Sequence, residues 1–401
     1  MAVGLFSTEH KAVPGVRLAS VACGIKGKDQ LDLVLIDFAD GSNSAGIFTQ
    51  SAFAAAPIVV ARNNLKNAGG RFFLTNSGNA NAATGEQGIS DAESCCNALS
   101  KLTGVRPEHV IPFSTGVIGE RLQVSNIVEA LPKMIAGLDE KNWLEAAQGI
   151  MTTDSRPKIA SRQIEDKGVT VTLTGIAKGS GMIQPDMATM LAYVATDGCA
   201  EQDFLLSALQ IAADQSFNRI TVDGDTSTND ACMLTATGFS KVKLASPDVA
   251  DNFQTALNSL MLELAQDIVR DAEGATKFVE VRVQGARRVD DCVKIAYSIT
   301  NSPLIKTALF ASDANWGRII MAIGKAGVDI DINKVDVFVG DVQMLFRGAK
   351  HPDYAEEAGA AAMAKEEIVI TVDLNVGDCV ESVWTSDLSH DYVSINSDYR
   401  S

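Results

Sequence analysis

The sequence is poor in the residues that build metal centres and disulfide frameworks. It contains only four histidines among 401 residues, and they are widely scattered, so no zinc-ligand spacing appears. Its seven cysteines are odd in number and include no CxxC pair. This usage is typical of free thiols in a reducing compartment. We therefore expect neither a metal site nor a disulfide framework.

Positive charge is also scarce. Lys and Arg number 34 against 50 Asp and Glu, which gives a formal net charge of −16 at pH 7. This balance argues against nucleic acid or an anionic membrane as a partner. An anionic substrate would need a local cationic pocket, so individual lysines and arginines become informative.

Targeting signals and membrane-spanning patterns are missing as well. The first residues lack a basic stretch followed by an apolar run, which is the mark of a signal peptide. The longest uncharged stretch, residues 41–61, is interrupted by polar side chains and by Pro57, so it does not suit a bilayer. We expect a soluble cytoplasmic protein.

What the sequence does contain is an alternation of short apolar runs and helical patterns. Hydrophobic residues make up 46% of the chain, and its length exceeds that of one ordinary core. The patterns predict strands at 31–38, 71–74, 109–112, 169–173 and 368–374, and helices at 86–102, 122–138 (interrupted near Pro132), 204–213 and 247–268. We expect a two-domain α/β fold with mixed sheets layered with helices. A composition shift near 274–287 divides it into residues 1–280 and 281–401.

Residues 178–191, KGSGMIQPDMATML, suggest a peptide bond that cuts itself. A small residue followed by threonine, beside a Gly/Pro-rich bend, suits attack of Thr189 Oγ on the Ala188 carbonyl. Cleavage there gives chains 1–188 and 189–401. The new N-terminal Thr189 carries a hydroxyl nucleophile and an amine of low pKa that serves as its base. A threonine within an apolar run is also typical of a buried core position.

Two further positions suit acyl transfer. Thr115 and Gly116 would form an oxyanion hole from a hydroxyl and a backbone N–H, because glycine allows a close approach. The same two residues also fit an ordinary turn in a loop at a strand end. Lys178 would pair with a substrate carboxylate, or lower the pKa of the Thr189 amine by like-charge repulsion. In isolation it equally fits a solvated surface lysine.

Several motifs in order along the chain carry a family resemblance. Together they closely resemble the glutamate N-acetyltransferase (ornithine acetyltransferase) family of arginine biosynthesis, and no single one of them is decisive. They are TNSGNANAATG at 75–85, STG at 114–116, MTTDS at 151–155, the 178–191 segment, GDTSTND at 224–230, EGATK at 273–277, SDANWGR at 312–318 and INSDYRS at 395–401.

The resemblance implies a reaction and a set of site residues. Acetyl would pass from N2-acetyl-L-ornithine to Thr189 and then to L-glutamate by ping-pong chemistry, and some members also accept acetyl-CoA. No other cofactor is implied, and the two chains would assemble as α2β2. The implied oxyanion pair is Thr115 and Gly116, and the implied substrate contacts are Thr152, Lys178, Thr189, Glu273, Asn396 and Ser401.

Two positions depart from the common family pattern. Asp186 stands where asparagine is common, which adds a negative charge beside the cut. The last residue, Ser401, stands where many relatives have threonine, and serine keeps the hydroxyl.

Other functions stay open from the residues alone. A self-processing amidase or aminopeptidase would use the same nucleophile with water as the acceptor. Residues 222–230, VDGDTSTND, place Asp223 and Asp225 at the offset of an aspartyl-phosphate phosphatase, although Thr-Ser-Thr follows rather than Gly-Thr. The same stretch fails as a calcium loop, because Thr228 and Leu234 stand where Gly and Glu are needed. A non-catalytic binding protein is the third alternative.

Overall fold

The computed structural model describes residues 2–4, 6–184 and 190–398. These residues divide into two compact units. The larger unit is built from the described residues of Phe6–Asn218 and Thr226–Ile268, and the smaller unit from those of Met1–Leu5, Arg219–Asp225 and Val269–Tyr399. The predicted domain boundary at residue 280 stays a prediction.

The larger unit alternates strands and helices as the sequence patterns indicate. Its strands are β1 Val16–Val21, β2 Leu33–Phe38, β3 Asn43–Phe48, β4 Phe72–Asn79, β5 Val110–Val117, β6 Lys158–Asp166, β7 Val169–Lys178, β8 Leu191–Thr196 and β9 Ala231–Ala236. Its helices are α1 Ala56–Ala68, α2 Gly85–Thr103, α3 Val124–Ala136, α4 Trp143–Gly149, α5 Gln202–Asp214 and α6 Pro247–Arg270, the last of which ends in the smaller unit.

Two mixed sheets form the centre of the larger unit. One has the strand order β1-β2-β4-β5 and the other β3-β9-β8-β7-β6. Within them β4 and β5 run parallel, as do β8 and β9, while the other neighbours are antiparallel. Strands β2, β8 and β9 are buried along their whole length, which explains their nearly continuous apolar sequences.

The core of the larger unit lies between these two sheets. Phe73 and Phe113 of the first sheet pack against Tyr193 of the second, with 5.1 Å between the ring centroids of Phe113 and Tyr193. The Tyr193 hydroxyl is 2.9 Å from the Thr75 hydroxyl, so its polar tip is satisfied. Helices α2 and α3 cover the outer face of the first sheet, and α6 covers the second. The unit is therefore a layered helix–sheet–sheet–helix structure.

The smaller unit has one six-stranded sheet with helices packed against it. Its strands are β10 Phe278–Ala286, β11 Asp336–Val339, β12 Val342–Phe346, β13 Ala349–Lys350, β14 Glu367–Asp373 and β15 Cys379–Ser386, in the order β13-β12-β11-β14-β10-β15. Its helices are α7 Val289–Thr300, α8 Pro303–Phe310, α9 Trp316–Gly324, α10 Glu356–Met363 and α11 His390–Asp398. Burial alternates along β14, as the sequence pattern at 368–374 predicts. The predicted mixed α/β class is confirmed.

Two local predictions are wrong. The expected interruption of α3 at Pro132 is absent, because Pro132 lies on the exposed side while Leu131 and Met134 are buried and hold the helix together. The expected loop at Ser114–Gly116 is part of β5, because β4 continues beside it and pairs Gly78 with Gly116. Among the described residues, no helix has the length and apolar character of a membrane span.

Candidate active site

Three of the predicted site residues meet around the ammonium group of Lys178, the last residue of β7. Its Nζ donates to Thr152 Oγ1 at 2.7 Å and to Thr115 Oγ1 at 3.3 Å. Thr115 lies near the end of β5, and Thr152 lies in the loop that follows α4. The structure therefore excludes the alternative of a solvated surface lysine.

The direction of these hydrogen bonds matters for chemistry. An ammonium has donors and no acceptor, so both threonine hydroxyls accept from Lys178. Each hydroxyl then keeps its own O–H for another partner. A hydroxyl that accepts from a cation is polarised and becomes a better donor. The role of Thr115 in an oxyanion hole stays a prediction.

Gly116 is required by close backbone packing. A Cβ on Gly116 would lie 2.3 Å from the carbonyl carbon of Gly78 and 2.6 Å from the Asn79 nitrogen, and the φ of Gly116 is +132°. Only glycine fits this position without displacing β4. The role of Gly116 in an oxyanion hole stays a prediction.

The buried carboxylate of Asp154 accepts hydrogen bonds from backbone groups next to Lys178 and Thr152. Its Oδ1 accepts from Lys158 Nζ at 2.6 Å and from the Gly179 N–H at 2.7 Å, and its Oδ2 accepts from the Thr152 N–H at 3.0 Å. Burial opposes ionisation, yet the charges of Lys158 and Lys178, together with these hydrogen bonds, hold the pKa of Asp154 below its ordinary value. Asp154 belongs to the MTTDS motif, but sequence reasoning assigned it no role.

A second lysine, Lys26, also belongs to this group. Its Nζ donates to the backbone carbonyl of Met151 at 2.6 Å, directly before Thr152, and its side chain lies against Gly78. Burial lowers the pKa of Lys26 to about 8; the nearby Lys178 charge adds to this, whereas Asp32 and Asp154 oppose it. No sequence motif singles Lys26 out, because it reaches the site only through tertiary folding.

The loop that carries Lys26 is held by another buried carboxylate. Asp32 accepts from the backbone N–H groups of Cys23 at 2.6 Å, Ile25 at 2.6 Å and Lys26 at 3.0 Å. Three backbone hydrogen bonds to one carboxylate fix the course of a short segment that has no regular secondary structure. The position of Lys26 is therefore built into the fold.

Asp230 brings a third carboxyl group to the same end of the second sheet. It directly precedes β9, where the Ala231 N–H donates to the Met190 carbonyl at 2.9 Å. The Asp230 side chain is fully buried, and its Oδ2 has no hydrogen-bond partner among the described residues. Burial raises the pKa of Asp230 well above its ordinary value, against the opposing effects of hydrogen bonds from Ser227 and the charge of Lys178.

Two other predicted substrate-binding residues contact each other within the smaller unit. Asn396, in α11, donates from Nδ2 to Glu273 Oε2 at 2.7 Å. Nearby in this unit, the Tyr392 hydroxyl donates to Asp223 Oδ2 at 3.1 Å, and Asp223 and Glu273 contribute to a raised Tyr392 pKa whose largest cause is burial. The structure joins Glu273 and Asn396 by a hydrogen bond, and their role in substrate binding stays a prediction.

The remaining predicted site residues, Ala188, Thr189 and Ser401, lie outside the described residues. Their roles stay predictions. Within the described ranges, no group of three or more His, Cys, Asp or Glu side chains is arranged to hold a metal ion. All seven cysteines are free thiols.

Comparison with known proteins identifies the family. The sequence pattern described as the ArgJ family matches residues 17–401. The arginine biosynthesis bifunctional protein ArgJ of Pseudomonas fluorescens is 50% identical over 406 residues, covering 100% of both chains. The protein of the same name from Methylococcus capsulatus is 49% identical over 391 residues, covering 97% of this chain and 96% of that protein.

A solved structure of a protein with this name also matches part of the chain. It is the arginine biosynthesis bifunctional protein ArgJ of Bacillus halodurans, 39% identical, with a TM-score of 0.49. The match covers 52% of this chain and 98% of that one. Because the match to the family spans nearly the whole sequence, the chain described here belongs to the ArgJ family.

Proposed function

We propose that the protein transfers an acetyl group from N2-acetyl-L-ornithine to L-glutamate in arginine biosynthesis. Membership of the ArgJ family supports acetyl transfer in this pathway. The structural observation that carries the proposal is the pair of hydrogen bonds from Lys178 to Thr115 and Thr152. They bring a cation and two hydroxyl groups together, and preorganised donors of this kind stabilise the oxyanion of an acyl transfer, which supports the proposal.

The chain first cuts itself between Ala188 and Thr189. Thr189 Oγ attacks the Ala188 carbonyl, the C–N bond breaks as an ester forms, and water hydrolyses the ester. The products are chains 1–188 and 189–401, the second of which begins with a free amine. This amine has an ordinary pKa of about 8 and can accept a proton from the hydroxyl of its own residue.

Acetyl transfer then takes place in two half-reactions. Thr189 Oγ attacks the acetyl carbonyl while its proton passes to the Thr189 amine, and the Thr115 hydroxyl and Gly116 N–H donate to the oxyanion. The amine returns the proton to the departing nitrogen of ornithine, which leaves an acetyl ester on Thr189. The amine of glutamate attacks this ester, N-acetylglutamate leaves, and the Thr189 hydroxyl is restored.

The substrates carry both carboxylate and ammonium groups, and the proposed site residues have complementary charges or hydrogen-bonding groups. Lys178 and Thr152 bind at the reacting end, and Lys26 adds a second cation for a substrate carboxylate. Glu273 receives a substrate ammonium, while Asn396 and Ser401 donate neutral hydrogen bonds. In a protein of net charge −16, two lysines held at one place favour an anionic ligand there.

The wider arrangement follows the family resemblance. The two chains assemble as α2β2 in the cytoplasm, with domains 1–280 and 281–401. Acetyl-CoA serves as a second acetyl donor, and the reaction needs no other cofactor.

An intact-mass measurement combined with an acetyl-transfer assay tests the proposal. We expect two chains of the masses of 1–188 and 189–401, and a gain of one acetyl group on the second chain when acetylornithine alone is supplied. Addition of glutamate should then release N-acetylglutamate. Release of acetate irrespective of glutamate would instead identify an amidase, and an uncut, magnesium-dependent protein would favour the phosphatase alternative at Asp223 and Asp225.

A further inference from the structure

Asp154 closes a ring of interactions that contains both Lys178 and Thr152. One carboxylate oxygen accepts from the N–H of Gly179, the residue after Lys178, at 2.7 Å. The other accepts from the N–H of Thr152 at 3.0 Å. The ring is completed by Lys178 Nζ, which donates to Thr152 Oγ1 at 2.7 Å. A single side chain thereby fixes the backbone on both sides of the Lys178–Thr152 contact.

We propose that Asp154 is a positioning residue of the acetyl-transfer site, which holds Lys178 and Thr152 in register and, through Lys178, orients the hydroxyl of Thr115. This inference rests on the proposed function. Asp154 touches neither substrate nor reacting atoms in this scheme. Its effect passes through the three side chains that it arranges.

The buried ion pair between Asp154 and Lys158 needs a reason beyond stability. Both side chains are completely buried, and the oxygen–nitrogen distance is 2.6 Å. Replacing such a pair by apolar residues is often neutral or stabilising, because two charges must otherwise leave water. A carboxylate at position 154 does something that an apolar side chain cannot do: it accepts two backbone N–H groups from different segments. Lys158 neutralises the charge that this task requires.

A small displacement of this ring would strongly lower the catalytic rate. A misplacement of about 1 Å by a remote substitution can lower a rate about 100-fold. Lys178 and Thr152 lie 26 residues apart in the sequence, so their contact depends on a tertiary link rather than on local geometry. Asp154 supplies that link.

Removal of the Asp154 charge should also change the pH dependence of activity. In the described part of the chain, the charged or titratable groups near Lys178 and Asp154 include Lys26 with its neighbour Asp32, Lys158 and Asp230. Asp154 favours the charged form of the nearby lysines, since its negative charge stabilises an ammonium. Loss of this charge should therefore move the basic limb of the activity profile to lower pH.

The test compares Asp154→Asn with the double variant Asp154→Asn, Lys158→Met. The single variant leaves the Lys158 ammonium buried without its counter-ion, so some loss of stability is expected. The double variant removes both charges and should recover thermal stability while the backbone acceptor remains weakened. We expect kcat of the folded double variant to fall about 100-fold, with a smaller change in KM. The basic limb should move to lower pH in the folded single variant, which loses only the negative charge.

Asp37→Asn is the matched control. Asp37 is also a buried carboxylate of the larger unit and is paired with two cations, Arg17 and Arg71. It lies in β2, and its ion pairs in the described part of the chain do not involve Lys178, Thr152 or Thr115. It should lower the thermal midpoint without changing kcat or its pH profile in the folded protein. Equal kinetic losses in the two variants would overturn the proposal, because general destabilisation would then explain both.

The wild-type enzyme separates this inference from the proposed function. If wild-type protein forms no N-acetylglutamate, the proposed function fails whatever the variants do. If wild type is active and the folded double variant keeps wild-type kcat, only the positioning role of Asp154 is overturned.

Discussion

The ammonium of Lys178 donates to the hydroxyl of Thr115, with 3.3 Å between Nζ and Oγ1. The bond joins the end of β7 to the end of β5, and so connects the two sheets of the larger unit at one point. Because the lysine can only donate, the Thr115 hydrogen stays available for an oxyanion. The contact is therefore compatible with the predicted role of Thr115 as an oxyanion donor.

Replacing Thr115 tests that role. Thr115→Ala removes one oxyanion donor, and such a loss typically lowers the chemical step about 100- to 1000-fold. We expect kcat for acetyl transfer to fall by this amount, with slower self-cleavage, while Thr115→Ser keeps much of both. Steady-state kinetics on chains whose cleavage is verified by mass provide the measurement. Near-wild-type turnover in fully cut Thr115→Ala protein would remove Thr115 from the mechanism.

Replacing Thr189 tests self-cleavage. Thr189→Ala removes the hydroxyl that attacks the preceding carbonyl, so we expect a single uncut chain without transferase activity. Thr189→Ser keeps a hydroxyl and should retain part of both activities. Intact mass spectrometry of the purified proteins distinguishes the two. A cut chain in the alanine variant would mean that an external protease acts.

Much of the site was predictable because its residues lie in recognisable motifs. Thr115, Thr152 and Lys178 come from three separate motifs, and the fold brings them together where β5 and β7 end. Strand ends at one edge of a layered structure are close in space even when they are far apart in sequence. The motifs therefore identified three residues that meet in the folded protein.

The rest depended on contacts that no local pattern encodes. Lys26 reaches Met151 across 125 residues of sequence, and Asp154 works through backbone N–H groups, which every residue type possesses. The same holds for β5, which continues through Gly116 only because β4 lies beside it. Such features follow from tertiary packing, and a single sequence does not display them.

Lys26 gives a prediction about pH. Its pKa is lowered to about 8, chiefly by burial, so its ammonium is charged below this pH and becomes neutral above it. If Lys26 binds a substrate carboxylate, KM for glutamate should rise as the pH passes above about 8. Lys26→Arg should keep KM low to higher pH, since arginine stays charged, and Lys26→Met should raise KM throughout. Steady-state kinetics across the pH range provide the measurement.

A neighbouring lysine serves as the control for this series. Lys28 lies two residues further along the same segment and is exposed. Lys28→Met removes the same charge from the protein without altering the contacts among Lys26, Lys178 and Thr152. The pH dependence of its KM should therefore match that of wild type. Superimposable profiles for all the Lys26 variants would show that Lys26 does not bind substrate.

Asp230 gives a prediction about stability. Burial raises its pKa well above 3.8, so the folded protein holds this proton more tightly than the unfolded chain does. The unfolding free energy should therefore decrease as pH rises from about 4 toward the raised value. Asp230→Asn cannot ionise and escapes this decrease. Its thermal midpoint should therefore gain on that of wild type as the pH rises above about 4, whereas Asp203→Asn, at an exposed position, should give no such gain.

Asn396 tests whether the C-terminal helix takes part in substrate binding. Asn396→Ala removes the amide that donates to Glu273 at 2.7 Å and frees that carboxylate from its fixed position. Hydrogen bonds to charged groups contribute about 1.5–3 kcal/mol, so we expect KM for acetylornithine and glutamate to rise about 10- to 100-fold. Self-cleavage should continue, because it requires Thr115, Gly116 and Thr189 but no substrate.

Ser394→Ala, on the same helix α11, is the control: the Ser394 hydroxyl bonds only locally to the His390 carbonyl in the described part of the chain. Steady-state kinetics on cut protein decide the matter, and equal KM values in the two variants and wild type would place Asn396 outside the substrate site.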